Sequence, residues 1–259
     1  MNVKKTAAML CSSVSILLLF LMVPAGADEA AEATREIINK WQDAVITTNI
    51  ILEMYESERT VEALATIVDA SGLAVLSLSN IDPARGMAIS SSESKVKDIK
   101  MIMPDGNEIP AKIVLRDQDL DLAFICPTEK PIKTIPAIDL TNNAEPDIMD
   151  QIVILSRFGN VVGYASTASL GRIQAIVKKP RTLYVPDPLM GLVNGLGTPA
   201  FSLDGKVVGI LLLRVKEAQG FGGNEMFRGI GGMNMLPVIL PAEDILAVAK
   251  EAVEIMERE

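Results

Sequence analysis

The feature that most constrains the fold is a succession of short apolar runs, each closed by turn residues, that fills the chain from Ala44 to Ile239. The runs fall at Ala44–Leu52, Leu64–Val68, Leu73–Leu78, Asp98–Met103, Ala111–Leu115 and Leu120–Cys126. They resume at Ile148–Leu155, Val161–Ala168, Ile173–Val177, Thr182–Val185, Pro199–Ser202, Lys206–Leu213 and Met235–Ile239. In the first run Ile46, Thr48, Ile50 and Leu52 share one face at period two, as a half-buried strand requires. Asp69-Ala70-Ser71-Gly72, Pro104-Asp105-Gly106-Asn107 and Asp204-Gly205 supply residues that accept turn dihedrals, and the last two read as hairpins. Short strands at close spacing predict a barrel or a sandwich. Residues 127–147 carry Pro127, Pro131, Pro136 and Pro146 and read as a crossing between two halves.

A helix is expected at each end. Residues 28–43 place Ile37, Ile38 and Trp41 on one side. After Pro241, residues Ile245, Leu246, Val248, Ala249, Ala252, Val253 and Met256 recur at helical spacing with charges opposite, which predicts an amphipathic helix packed on the body. Residues 216–232 hold six glycines and read as an exposed loop. They lack the Gly-Lys-Ser/Thr ending that a phosphate-cradling loop needs. Met226, Met233 and Met235 near that loop read as core filling, with an adaptable binding surface as the alternative.

The chain opens with Lys4 and Lys5, an apolar run from Val14 to Val23, and small residues Ala25-Gly26-Ala27. That is the layout of a secretory signal cleaved after Ala27. The apolar run is shorter than the ~20 residues of a spanning helix, so cleavage is expected rather than a kept anchor, with no stable membrane span afterwards. Cys11 precedes the main apolar run, which argues against a lipoprotein signal. A secreted or periplasmic location follows. Removing Cys11 leaves Cys126 alone, so no internal disulfide is expected, and Cys126 reads as a small buried hydrophobe.

Composition narrows the chemistry. The net charge of −9 lacks the basic footprint of a nucleic-acid binder, and no nucleic-acid partner is expected. The chain has no histidine, so neither a Ser-His-Asp nor a Cys-His nucleophile pair can form, and histidine zinc sites are excluded. Asp117, Asp119 and Asp121 alternate like the start of a calcium loop, but Leu122 and Thr128 stand where Gly and Glu are needed. Ser202 and Lys206 flank a hairpin, where the lysine reads as solvated rather than as half of a Ser-Lys dyad. No cofactor or metal is expected, and no feature of the sequence sets an oligomeric state.

Three ordered segments resemble the protease domain of the Deg/HtrA-type, trypsin-like serine protease family. Ile67–Ser79, with its Asp69-Ala70-Ser71-Gly72 turn, resembles the strand-turn-strand that leads to the family's general base. Met103–Val114, followed by Asp117–Ala123, resembles the hairpin leading to the triad carboxylate in Asp121-Leu122-Ala123. Gly195-Leu196-Gly197-Thr198-Pro199-Ala200-Phe201 and Leu203-Asp204-Gly205-Lys206 resemble the nucleophile loop Gly-Asn-Ser-Gly-Gly-Pro and its hairpin. The resemblance implies an all-β, trypsin-like double antiparallel β-barrel with short N-terminal and C-terminal helices. The expected layout is a signal at 1–27, a helical segment at 28–43, barrels at 44–135 and 136–238, and an amphipathic helix at 239–259. No PDZ domain is expected.

Carried over position by position, the base falls on Ser79, the triad carboxylate on Asp121 and the nucleophile on Leu196, with Thr198 in place of the second glycine. Two of the three groups are missing, so the resemblance implies a degenerate, inactive member. Gly195, Leu196, Gly197 and Thr198 then read as a loop of the inter-barrel cleft that binds a peptide or protein segment by strand addition. Asp121 reads as a relic that accepts hydrogen bonds, for example from Ser79. The alternatives are a hydrolase with a non-standard nucleophile and a structural envelope protein.

Overall fold

The structure, a computed structural model, describes residues 25–54, 57–82, 95–131, 134–187, 195–215 and 235–258. Most of the targeting segment and the whole glycine-rich segment lie outside them, as do Met226 and Met233. Helix α1 (Ala25–Trp41) and a 3-10 turn (Gln42–Ala44) lead into β1 (Val45–Met54), β2 (Ser57–Ile67) and β3 (Ala74–Ser77). A short helix α2 (Leu78–Ile81) follows, then β4 (Lys95–Ile102), β5 (Glu108–Asp117) and β6 (Leu122–Pro127). The second set is β7 (Gln151–Arg157), β8 (Ser166–Val177), β9 (Leu183–Pro186), β10 (Pro199–Ser202), β11 (Val207–Val215) and β12 (Met235–Pro241). Helix α3 (Ala242–Arg258) ends the described chain. Among the described residues, no helix is long and apolar enough to cross a membrane.

The strands close into two six-stranded antiparallel barrels, β1-β2-β3-β6-β5-β4 and β7-β8-β9-β12-β11-β10. The two halves share one strand order. Period-two alternation explains how they pack together. In β7, Ile152 and Ile154 join a cluster drawn only from second-barrel strands, whereas Val153 and Leu155 join a core shared by both barrels and both long helices. In β6, Ala123 and Ile125 face the first barrel's own cluster, and Leu122, Phe124 and Cys126 face the shared core. Strands buried on both faces read as unbroken apolar runs, which is how these two appear in the sequence. Each fully buried aliphatic side chain contributes roughly 1.5–3 kcal/mol.

Several local expectations shift. The expected strands Val161–Ala168 and Ile173–Val177 are instead a 3-10 turn (Asn160–Val162) followed by the single strand β8. Val161 is 93% exposed, so its apolar character does not mark a strand. Strand β2 begins at Ser57, earlier than its apolar part, because its exposed first half pairs with β1 through Ser57↔Met54. Helix α1 begins at Ala25, so the boundary drawn after Ala27 falls in its first turn.

The terminal helices bury the faces that the sequence marks. Ile37 is buried, and Trp41 stacks on Phe201 of β10 with ring centroids 6.4 Å apart. In α3, Ala242, Ile245, Ala249 and Ala252 are buried. Glu243 and Asp244 in its first turn and Arg258 in its last complement the helix dipole.

Candidate functional site

Asp121 sits where β3, the turn before β6 and β11 meet. It is 3% exposed and has a left-handed backbone, φ 61°. Such a conformation is uncommon outside glycine and marks a constrained position. The backbone is held by Leu78 N, which donates to Asp121 O at 2.9 Å. The carboxylate accepts four hydrogen bonds. Ser79 donates from its amide at 2.9 Å and from its hydroxyl at 2.8 Å to Oδ1. Ser77 donates from Oγ to Oδ2 at 2.5 Å, and Leu213 N approaches Oδ2 at 3.4 Å from the second barrel. No cation faces it among these partners. Burial pushes its carboxyl above the usual carboxylate range, against the downward pull of the Ser77, Ser79 and Leu213 donors. Ser79 thus spends its one hydroxyl proton on Asp121, and a serine hydroxyl is too weak a base to take a proton near neutral pH.

Residues 195–198 form a pinned loop across the seam. Gly195 and Gly197 have φ of +77° and +92°. A Cβ on Gly197 would lie 2.3 Å from the carbonyl oxygen of Leu64, so the loop lies directly against β2 and admits no side chain there. Three successive carbonyls are satisfied: Thr198 Oγ1 donates to Gly195 O at 2.8 Å, the Asn80 amide to Leu196 O at 3.4 Å, and Thr66 Oγ1 to Gly197 O at 2.7 Å. Gly197 N donates to Leu211 O at 2.7 Å. Asn80 therefore brings the Ser79 corner to the Leu196 loop. Leu196, the residue that the resemblance aligns with the nucleophile, offers only an aliphatic side chain.

Beside this loop a cavity of about 180 Å³ opens between the barrels, lined by residues that include Thr47, Ala63, Leu64, Asn80, Arg157 and Leu196. Arg157, at the end of β7, is 8% exposed and bonds three carbonyls. Nε donates to Val45 O at 2.8 Å, Nη1 to Tyr164 O at 2.7 Å and Nη2 to Gln42 O at 2.6 Å. Burial lowers its pKa, with Asp43 acting in the opposite direction. Sequence reasoning missed Arg157 and Thr47. Arg157 works through backbone carbonyls, which leave no trace in residue types. The one available signal was a charge closing an otherwise apolar run.

The remaining sequence candidates lie in ordinary settings. Ser202 Oγ donates to the Asp204 carboxylate, and Lys206 Nζ pairs with Asp204 at 2.8 Å while 47% exposed, so no buried lysine stands beside Ser202. Asp117 Oδ1 accepts from Leu120 N at 2.9 Å, and Asp119 O accepts from Arg214. Cys126 is buried in β6. Among the described residues, no group of three or more Cys, Asp or Glu is placed to hold a metal ion.

The fold is matched by the MamO protease domain from Magnetospirillum magneticum in its apo form. That match has a TM-score of 0.54 and 16% identity, over 80% of this chain and 96% of that one. No curated protein matches the chain by sequence. Residues 30–210 match the trypsin-like peptidase domain model. With that match covering most of the two barrels, the chain belongs to the trypsin-like peptidase family.

Proposed function

We propose that this protein is a secreted or periplasmic pseudoprotease of HtrA-like type that holds polypeptide segments in its inter-barrel cleft without cleaving them. One observation carries the reading: in a chain without histidine, the hydroxyl of Ser79, which the resemblance aligns with the base, is bonded to Asp121, and the residue it aligns with the nucleophile is Leu196. Acyl transfer in this family needs a nucleophile and a base to take its proton, and loss of either costs orders of magnitude. Binding makes no such demand, because strand addition uses main-chain groups and a shaped floor. A loop whose carbonyls are already satisfied, next to an open cavity, supplies that floor.

The test uses the purified full chain and fluorescein-labelled casein, read by anisotropy and by fragment release together. The expected result is a rise in anisotropy with no fragments, and slow fragment release by the Ser79→His, Leu196→Ser double variant. Fragment release by the natural protein that disappears in Asp121→Asn would overturn the reading. So would casein that is neither bound nor cut.

A further inference from the structure

The inter-barrel cavity has an apolar wall, an apolar rim and an acidic lip. Ala63, Leu64, Phe158 and Leu196 supply aliphatic and aromatic lining. Thr47 is 1% exposed, and its hydroxyl has no hydrogen-bond partner among the described residues. Such a group is uncommon in a folded protein and calls for an explanation. The rim is the β7–β8 connection, where Phe158, Val161 and Val162 are 52%, 93% and 55% exposed. Single exposed apolar side chains are ordinary, but three within five residues, the first of which lines the cavity, mark a contact surface. Opposite lies Glu62 of β2, exposed, with its carboxylate against Gly159. The Glu62 charge also acts on Tyr164, which closes the same connection, whereas Glu108 is paired with Lys100 at 2.8 Å.

Resting on the peptide-holding reading above, we propose that this cavity is the anchor subsite of the cleft. It takes an aliphatic side chain from an extended segment of a partner protein, with a lysine or arginine flanking that side chain. The aliphatic group fills the space bounded by Ala63, Leu64 and Leu196, and the segment lies across Phe158 and Val161. The flanking cation faces Glu62, in keeping with the net charge of −9. A peptide main chain offers both a donor and an acceptor, either of which meets the unmatched capacity of Thr47.

The experiment is a ¹H–¹⁵N titration of the full chain with three capped peptides: Gly-Ser-Lys-Leu-Lys-Ser-Gly, the same with Ala for Leu, and the same with Glu for both Lys. With the leucine peptide, shifts should cluster at Thr47, Ala63, Leu64, Asn80 and Gly159. Alanine should weaken binding about tenfold, and the glutamates about threefold. Phe158→Ser, at a half-exposed position, should weaken the leucine peptide with little change in melting temperature. Glu62→Lys should reverse the preference between Lys and Glu flanks. Equal affinity for the leucine and alanine peptides overturns the proposal. Shifts confined to β11 and β12 overturn it as well, while leaving the cleft reading standing. No shifts with any peptide, together with unbound casein, overturn both.

Discussion

Two buried charged groups hold the seam between the barrels, and neither forms an ion pair among the described residues. Arg157 reaches from the second barrel to carbonyls of Gln42 and Val45 before and in the first, and to Tyr164 in its own hairpin. Asp121 reaches the other way, accepting from Ser77 and Ser79 in the first barrel and from Leu213 in the second. The difference lies in what each would leave behind. Removing Arg157 takes a charged donor from three carbonyls, of which Gln42 O keeps the Val45 amide. Removing Asp121 leaves two serine hydroxyls, which can turn to other acceptors, and the amides of Ser79 and Leu213, which cannot. A buried cation holding rigid main-chain groups is a latch. A buried carboxylate held by two serine hydroxyls and two main-chain amides is an acceptor fixed in place.

That contrast orders the expected effects. Arg157→Met should be the largest, at about 3 kcal/mol, because charge-assisted bonds to buried carbonyls are lost and not replaced. It can be read by denaturant unfolding followed through Trp41, the only tryptophan. Recovery of full stability in that variant would show that the latch is dispensable.

Thr66→Val should cost about 1 kcal/mol through the lost bond to Gly197 O. It should lower the anisotropy change with casein by loosening the loop.

Asp121→Asn tests the pH dependence. The folded-state pKa of Asp121 lies above its ordinary value of 3.8 because of burial. Its contribution is therefore fully present below that value and is lost as pH rises through the folded pKa. The stability gap between natural protein and variant should be widest near pH 4 and narrower at pH 7. A gap that widens with pH would mean that the four donors outweigh burial.

The smallest effect is expected on the exposed surface of the first barrel, between side chains of β4 and β2. Lys97→Ala breaks an exposed pair with Glu58 and should leave the melting temperature unchanged within error.

The barrels were legible in the sequence because period-two burial and Gly-containing turns are written into residue types. Ile152 to Leu155 announced a strand buried on both faces, and Asp204-Gly205 announced its hairpin. The order of motifs also pointed to Ser79, Asp121 and Leu196, and in the fold these positions converge through Asn80 and Leu196 O. The connection at 158–165 was misread because Val161 and Val162 imitate a strand while facing solvent. Arg157 and Thr47 were invisible for another reason. One is defined by the carbonyls it meets and the other by a partner it lacks, and neither property belongs to a residue type.

The stacking of Trp41 on Phe201 carries a consequence for the order of events during synthesis. Helix α1 is made first, yet its aromatic end docks on a strand made much later. Until β10 has emerged, the Trp41 ring lacks the Phe201 face on which it stacks. Such distant closure makes folding slow and leaves the early chain open to association. The earliest of the described elements thus completes its packing only after most of the second barrel has been made.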